Sequence, residues 1–258
     1  MMVNILDVIT QGDLKFIKSL AQRKFRQKYN KFIAEGDKIC SELVRVGAHK
    51  IDAIYSLNDW SEEHVTKYPR LKNLVTVVSE KELGRMSQLR SANKVLMVLD
   101  IPPQLLTSDI AKAGTVLYLA DVQDPGNVGT IIRIADWYGI QHVIRSQATA
   151  DFYNAKVVQA TMASFANVGL HTASFEEVKD LMPHHATVGA VLGGTDINKH
   201  QWDEQSIIVM GNESKGVPTG ITDQLQHKLM LPGSSERLAD SLNVGIATAL
   251  MCQQWYSR

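Results

Sequence analysis

Residues 117–133 read LYLADVQDPGNVGTIIR, and this stretch decides the fold class. An apolar run comes first, then a turn rich in proline and glycine, then a second apolar run with helical spacing. We predict a buried strand, a tight loop and a helix that begins near Val128 or Gly129. In α/β proteins such a loop lies at the carboxyl edge of the sheet, where free backbone N–H groups bind ligands. Taken alone, the loop is more often a tight turn capped by Asn127, and it carries neither a P-loop nor a GxGxxG pattern.

Arg133 lies about one helical turn beyond this loop and is surrounded by isoleucines. Its neighbours one turn earlier are on the loop side, so its guanidinium can point back toward the loop mouth. We interpret it as an anion clamp or an electrostatic activator. The alternative is that it extends from the helix edge into water or pairs with Asp136 or another acid.

Two later stretches have the same character. Residues 206–218 read SIIVMGNESKGVP, and residues 231–250 read LPGSSERLADSLNVGIATAL. Glu213 either accepts hydrogen bonds from a ligand or caps the following turn. Ser241 and Asn243 stand at the entrance of a final helix, where Ser241 alone would pass as an ordinary N-cap. Because each loop adjoins a predicted buried strand, we expect the three loops to form one site.

Apolar runs alternate with helix-like segments along the whole chain. In the first hundred residues, we predict strands at 51–55, 74–78 and 95–99 among helices within 11–34 and at 34–46, 58–67 and 80–88. Beyond Pro102 and Pro103, continuous hydrophobicity predicts strands buried on both faces of a parallel sheet, at 115–120, 142–144, 187–191, 206–210 and 228–231. We therefore predict an α/β domain over residues 1–100, a linker over 101–113 and a second α/β domain over 114–258.

The composition excludes several classes of protein. Lys and Arg together number 27, as do Asp and Glu, so any polyanion site must come from local clustering. The two cysteines, Cys40 and Cys252, form no CxxC pair, which disfavours a zinc site and fits a reducing cytoplasm. The adjacent His184 and His185 lack a matching carboxylate set, so we predict no metal. The first residues lack a signal-peptide pattern and no apolar run is long enough to span a bilayer, so we expect a cytoplasmic protein.

The three loops together resemble the three motifs of the SpoU (TrmH-like) family of RNA 2'-O-ribose methyltransferases, within the SPOUT superfamily. The matching segments are DPGNVGTIIR at 124–133, GNESKG at 211–216 and SLNV at 241–244. AKVVQATMASF at 155–165 resembles the family's K-x-x-x-A-S-x-G-A stretch. RQKYNKFIAEG at 26–36 resembles the opening of its RNA-recruiting domain.

The resemblance implies a parallel-sheet SPOUT domain with a deep trefoil knot, preceded by a small α/β domain that recruits RNA. It also implies a homodimer formed through the knot region, whose active site is completed across the interface. The implied cofactor is S-adenosylmethionine, bound in the knot. By similarity, its binding residues are Leu192, Gly193, Gly194, Met210, Gly211, Gly216, Leu231, Leu242 and Val244.

The implied reaction is methyl transfer to a ribose 2'-hydroxyl. We assign Arg133 to stabilising the developing alkoxide and clamping the adjacent phosphate, because arginine is a poor base. Asn127 would position the ribose or Arg133, and Glu213 would orient nearby polar groups. Ser241 and Asn243 would order the pocket and hydrogen-bond the reacting region.

Two departures from the family pattern stand out. The segment between Leu231 and Ser241 is about two residues longer than usual and could reshape the cofactor lip. The stretch TMAS at 161–164 lacks the usual glycine, which could alter helix packing or the dimer contact.

RNA contact is predicted near the amino end, where basic residues interleave with Phe25 and Tyr29. An aromatic ring there could stack on an unpaired base, and the alternative is a solvated basic helix face. The residues assigned to RNA binding are Arg23, Lys24, Arg26, Lys28 and Lys31. Ribosomal RNA is favoured as substrate. The alternatives are a tRNA ribose methyltransferase, a non-catalytic RNA-binding or assembly protein that keeps the fold, and a phosphate- or nucleotide-binding α/β enzyme.

Overall fold

Two β-sheets organise the chain in the computed structural model, which describes residues 9–89 and 91–258. One compact unit holds the chain up to Pro102 together with Tyr153–Ala166, and the other holds Pro103–Phe152 and Asn167–Arg258. The predicted absence of a signal peptide concerns residues 1–8, which lie outside the described residues. Within the described part, no helix has both the length and the apolar character needed to cross a membrane.

The first unit is a four-stranded mixed sheet with helices. Its strands lie in the order β1-β4-β2-β3, with β4 antiparallel to both of its neighbours. Its elements are α1 (Gln11–Ser19), α2 (Arg23–Tyr29), β1 (Lys31–Glu35), α3 (Asp37–Val46), β2 (Ile51–Ser56), α4 (Asn58–Lys67), β3 (Val75–Val77), α5 (Glu80–Met86), β4 (Val95–Asp100) and, from the later segment, α7 (Ala155–Thr161).

Strand β1 was not predicted, because apolar residues at helical spacing over residues 25–33 extend into it. Four of its five residues are buried, so the alternation that marks a half-exposed strand is missing. Phe32 on β1 packs against Tyr153 and Phe165 of the later segment, with ring centroids 4.6 and 5.8 Å away. These rings complete the core on that side of the first unit.

The second unit is a six-stranded sheet, ordered β10-β8-β9-β5-β6-β7, in which every neighbouring pair is parallel. This confirms the predicted parallel sheet. Its elements are β5 (Thr115–Leu119), α6 (Pro125–Trp137), β6 (His142–Arg145), β7 (Gly169–Thr172), α8 (Phe175–Leu181), β8 (Ala186–Asp196), β9 (Ser206–Met210), α9 (Thr219–Thr222), β10 (His227–Met230) and α10 (Val244–Tyr256).

Strands β5 and β9 are buried along their whole lengths, as continuous hydrophobicity predicts. Helices α6 and α10 pack against each other. Because β5 and β9 are adjacent and parallel, the loops that follow them emerge side by side at one edge of the sheet. The trefoil knot stays a prediction.

The missing glycine at 161–164 has a local consequence in the first unit. Met162 and Ala163 both adopt left-handed backbone conformations, with φ of 52° and 78°. Residues with a Cβ are strained there, and glycine is not. The chain therefore keeps the turn after α7 without the residue best suited to it.

Candidate functional site

The first loop is fixed by the start of helix α6. Asp124 is the N-cap, and its carboxylate accepts a hydrogen bond from the backbone N–H of Asn127 at 2.8 Å. Pro125 occupies the first helical turn, where its missing N–H costs nothing. The helix thus begins at Pro125, earlier than the predicted Val128 or Gly129, and is capped by Asp124 instead of Asn127. This leaves the Asn127 side chain free for other contacts.

The second loop is a tight turn at the end of β9. Asn212 and Gly216 exchange backbone hydrogen bonds at 2.9 and 2.8 Å. A Cβ on Gly211 would lie 2.2 Å from the carbonyl carbon of Gly216, so no other residue fits there. The turn therefore presents Glu213 at a fixed place beside the first loop.

The third loop ends at the N-cap of α10. The cap is Asn243, whose Oδ1 accepts hydrogen bonds from the backbone N–H groups of Gly245 and Ile246 at 2.9 and 3.3 Å. Ser241, the other cap candidate, is exposed and forms no hydrogen bond within the described part of the chain. The loop itself is exposed between Pro232 and Asn243.

The three loops are joined by a chain of side-chain hydrogen bonds. Asn127 donates through Nδ2 to the Glu213 carboxylate at 2.8 Å, and its Oδ1 accepts from Nδ2 of Asn243 at 2.9 Å. A carboxylate can only accept, and the Asn243 oxygen is already used by two backbone donors, so the orientation of both amides is fixed chemically. The predicted meeting of the three motifs is present in the structure.

Arg133 lies on α6 and is exposed. It forms no hydrogen bond or ion pair with any described residue, so the alternative pairing with Asp136 is not made. Asp136 instead accepts a hydrogen bond from Asn167 at 3.1 Å. The Arg133 guanidinium is therefore available to a ligand.

A second network of hydrogen bonds surrounds Asp121, next to the first network, and was not predicted. Asp121 follows β5 in a left-handed conformation with φ of 61°, uncommon for a residue other than glycine. Its carbonyl accepts a hydrogen bond from Nδ2 of Asn212 at 3.0 Å, and its carboxylate accepts from the Ser146 hydroxyl at 2.7 Å. The buried Thr149 hydroxyl bonds the N–H of Val122 and the carbonyl of Leu119. The sequence signal for this network is Asn212, because asparagine commonly forms Asx turns through its side-chain oxygen.

The predicted cofactor residues fall into two groups. Met210, Gly211 and Val244 are buried, and the others are at least partly accessible. Leu192 and Gly193 lie where β8 bulges away from β10, since Lys228 pairs with Gly189 but Leu229 pairs with Thr195. A cleft of about 710 Å³ opens at this bulge, lined by Leu192, Gly193 and Gly194 and by residues not predicted, including Lys199, His200 and His227.

The glycines test whether this region suits a cofactor. Gly193 and Gly216 have φ of +77° and +70°, and a Cβ at either would meet open space, so both expose bare backbone. Gly194 and Gly211 instead allow backbone to pass close to backbone. An accessible backbone and a cleft of ligand size fit S-adenosylmethionine.

A second cleft, of about 720 Å³, adjoins the hydrogen-bonded chain. Asp121, Asp124 and Glu213 line it together with Lys215. Three carboxylates against one lysine favour neutral hydroxyl and amino groups as ligands over phosphate. Among the residues that the structure describes, no group of three or more His, Cys, Asp or Glu side chains is placed to hold a metal ion.

The residues assigned to RNA divide by exposure. Arg23, Lys24 and Lys28 are exposed on α2, where Lys24 lies 4.9 Å from the Phe25 ring centroid and Lys28 lies 5.4 Å from that of Tyr29. The two rings stack on each other with centroids 6.2 Å apart. Exposed cations beside partly exposed aromatic rings are suited to unpaired bases.

Arg26 and Lys31 are engaged within the first unit. Arg26 is buried and donates to the carbonyls of Leu20 and Ala21 at 2.8 and 2.9 Å. Lys31 pairs with Asp100 and, at 2.8 Å, with Asp52. Burial opposes charge on Lys31, but the hydrogen bonds to these carboxylates outweigh it and raise its pKa. Neither cation is as free for RNA as Arg23, Lys24 and Lys28, the exposed cations of α2.

An apolar stripe lies exposed on α10 and its entrance. Leu242, Ile246 and Leu250 are spaced four residues apart and are 49%, 55% and 43% exposed. On the neighbouring α6, Trp137 is 82% exposed, and so belongs to no core. Ile246 and Leu250 are four residues apart within α10 and so share one face of the helix, and Leu242 lies just before its N-cap. Exposed apolar side chains grouped in this way mark an interaction surface.

Comparison with known proteins identifies the family of this chain. Residues 114–253 match the SpoU rRNA Methylase family, and residues 12–97 match the MRM3-like substrate binding domain. The 23S rRNA (guanosine(2553)-2'-O)-methyltransferase RlmP of Bacillus subtilis (strain 168) is 25% identical over 237 residues, covering 91% of this chain and 92% of that protein. A 23S rRNA (uridine(2479)-2'-O)-methyltransferase of Streptomyces viridochromogenes is also 25% identical, over 90% of this chain and 85% of that protein.

Solved structures show the same fold. The AdoMet-bound rRNA methyltransferase from Sinorhizobium meliloti superposes with a TM-score of 0.86 and 28% identity, covering 98% of this chain and 97% of that one. A putative RNA methyltransferase of the TrmH family from Porphyromonas gingivalis gives 0.80 and 28%, over 96% and 98%. With the first family match spanning more than half of the sequence, the chain belongs to the SpoU rRNA methylase family.

Proposed function

We propose that this protein transfers a methyl group from S-adenosylmethionine to a ribose 2'-hydroxyl of ribosomal RNA. The observation that carries the proposal is the hydrogen-bonded chain from Glu213 through Asn127 to Asn243, which joins the three family motifs. The AdoMet-bound structural neighbour and the two relatives named as 23S rRNA 2'-O-methyltransferases support the cofactor and the substrate.

S-adenosylmethionine, when bound, supplies a methyl group on a positively charged sulfur. The accessible residues of the predicted set would hold it: Leu192, Gly193 and Gly194 at the bulge, and Gly216, Leu231 and Leu242 at the other loops. The products are the 2'-O-methyl ribose, S-adenosylhomocysteine and a proton.

The chain's own contribution is to position the hydroxyl and to stabilise the charge that develops on its oxygen. Arg133 is an exposed cation without a partner among described residues, and it would stabilise the alkoxide and clamp the adjacent phosphate. Each amide of Asn127 and Asn243 has one N–H left after the bonds described, and these can bind the ribose. Glu213 fixes the Asn127 amide. Ser241 is exposed and lies two residues before Asn243, and it would order the pocket once ligand is bound.

The first unit would recruit the RNA through α2. Lys24 and Lys28 can neutralise phosphates, while Phe25 and Tyr29 offer stacking faces for unpaired bases. A cytoplasmic location is supported by the bacterial relative named as a 23S rRNA methyltransferase, and the buried free thiols of Cys40 and Cys252 fit a reducing compartment.

The protein would act as a homodimer through the knot region. The occupant of the apolar stripe Leu242, Ile246 and Leu250 is then a second copy of the chain, because a self-complementary apolar face is what a two-fold interface needs. The stripe begins at motif residues, so its burial would bring the partner subunit close to the site.

The test is methylation of isolated RNA. We expect methyl-labelled S-adenosylmethionine to label ribosomal RNA from cells that lack this protein, and the product nucleoside to be 2'-O-methylated. Transfer RNA serves as the competing substrate, and labelling of tRNA alone would replace the ribosomal assignment. Cofactor binding by calorimetry without methylation of either RNA would favour a non-catalytic binding protein.

A further inference from the structure

Asn212 stands between the first two motif loops and contacts both. Its Oδ1 accepts the backbone N–H groups of Ser214 and Lys215 at 3.0 and 3.1 Å, which shapes the second loop. Its Nδ2 donates to the Asp121 carbonyl at 3.0 Å, which belongs to the first loop. One amide therefore ties the turn that carries Glu213 to the segment that leads to Asn127.

Asp121 is held so that its carbonyl can accept this bond. Its left-handed conformation is fixed by Ser146, whose hydroxyl accepts from the Asp121 N–H at 3.1 Å and donates to the Asp121 carboxylate at 2.7 Å. Ser146 follows β6, Asp121 follows β5 and Asn212 follows β9. Three neighbouring strand ends are thus connected through side chains.

We propose that Asn212 is a positioning residue for the methyl transfer, with Asp121 and Ser146 as its support. It sets the spacing between the first two loops, so that Glu213 reaches Asn127 and orients its amide. This inference rests on the proposed function. Misplacing a site group by about 1 Å can cost about 100-fold in rate, so the effect belongs in kcat.

The substitution Asn212→Asp isolates this role. Aspartate has the same shape and keeps the oxygen that accepts from Ser214 and Lys215, but it replaces the donor to Asp121 with a second oxygen. We expect kcat at pH 8 to fall roughly 10- to 100-fold. The KM for S-adenosylmethionine should change less than about threefold and the melting temperature should stay near wild type, because the turn keeps its own hydrogen bonds.

The pH profile separates positioning from a general structural loss. A protonated aspartate at position 212 can again donate to the Asp121 carbonyl, so the ratio of variant to wild-type kcat should rise as pH falls toward the range in which that carboxyl protonates. Ser146→Ala, which frees Asp121, should lower kcat in the same direction. Asn167→Asp is the matched control, since it also sets a new carboxylate against a hydrogen-bonded oxygen, that of Asp136, away from the three loops.

Each outcome decides the matter. A kcat for Asn212→Asp within twofold of wild type would overturn the positioning role, as would a loss that follows a fall in melting temperature and does not vary with pH. Increased hydrogen exchange of the 211–216 turn and of the 120–123 segment together, measured on the protein without RNA, would support the tie between the loops independently of activity. A wild-type protein that methylates no RNA would contradict the proposed function as well, whereas an active wild type with an unaffected variant contradicts this inference alone.

Discussion

Asn127 and Glu213 are 86 positions apart in the chain, yet the amide nitrogen of one lies 2.8 Å from the carboxylate of the other. We predict that Asn127→Asp reduces kcat at least about 100-fold, because two carboxylates would then face each other and the first loop would move away from the second. Steady-state methylation kinetics measure the loss. Asn167→Asp, which faces Asp136 at 3.1 Å in the wild type, should retain nearly full activity. Equal losses in both variants would mean that the contact is only structural.

Arg133→Ala should abolish methylation while the dissociation constant for S-adenosylmethionine stays within about threefold of wild type. The guanidinium has no protein partner among described residues, so its removal leaves no hydrogen-bonding group of the protein unsatisfied. The variant therefore loses stabilisation of the transition state, which lowers the methylation rate. Arg133→Lys should recover only part of the activity, because lysine cannot bind two oxygens side by side. Single-turnover rates and calorimetry give the two quantities. An active Arg133→Ala enzyme would remove Arg133 from the mechanism.

Ile246→Glu should weaken self-association by roughly 100-fold or more, because a two-fold interface loses two buried side chains and gains two buried charges. Analytical ultracentrifugation across a concentration series measures the change. Leu105→Glu places the same charge at another leucine, 73% exposed and outside the stripe, and should leave the sedimentation unchanged. A wild-type protein that sediments as a monomer would contradict the dimer proposal.

Replacing Lys24 and Lys28 with glutamine should weaken RNA binding and reduce the slope of log affinity against log salt by about two, because two phosphate contacts are lost. Filter binding at several salt concentrations supplies the slope. Lys112→Gln is the control, since that lysine pairs with Asp109 in the second unit. An unchanged slope in the double variant would show that RNA does not contact α2.

Ala163→Gly should raise the free energy of unfolding by roughly 0.5 to 1 kcal/mol, because glycine relieves the left-handed strain at φ of 78°. Ala160→Gly, inside α7, is the matched control and should lower it by about 1 kcal/mol. Urea denaturation at equilibrium compares the three proteins. A destabilised Ala163→Gly would mean that burial of its methyl group outweighs the backbone strain.

Much of the second unit could be predicted from sequence, because strands buried on both faces are continuous apolar runs. Strand β9 was predicted at its observed bounds, Ser206–Met210. Strand β7, Gly169–Thr172, was missed, since an edge strand with glycine, histidine and threonine carries little apolar signal. In the first unit, Lys31–Glu35 was missed because its burial hides the alternation of a strand.

The site was predictable as a set of motifs but not as a network. Asn127, Glu213 and Asn243 were found by resemblance, and their hydrogen bonds depend on which strands are neighbours, which one sequence does not reveal. Asp121 and Asn212 were missed for a related reason. The role of Asp121 depends on a left-handed backbone angle, and that of Asn212 on a carbonyl 91 positions away.

The packing of Tyr153 and Phe165 against Phe32 has a consequence for biosynthesis. A domain at the amino end of a chain can usually fold while the rest is still being translated. Here the first unit lacks its closing segment until the ribosome has added Ala166, by which time strands of the second sheet have already been made. A gene fragment that stops at Pro102 would encode an unfinished core, so any transplant of the first unit into another enzyme must carry two separate pieces of the chain.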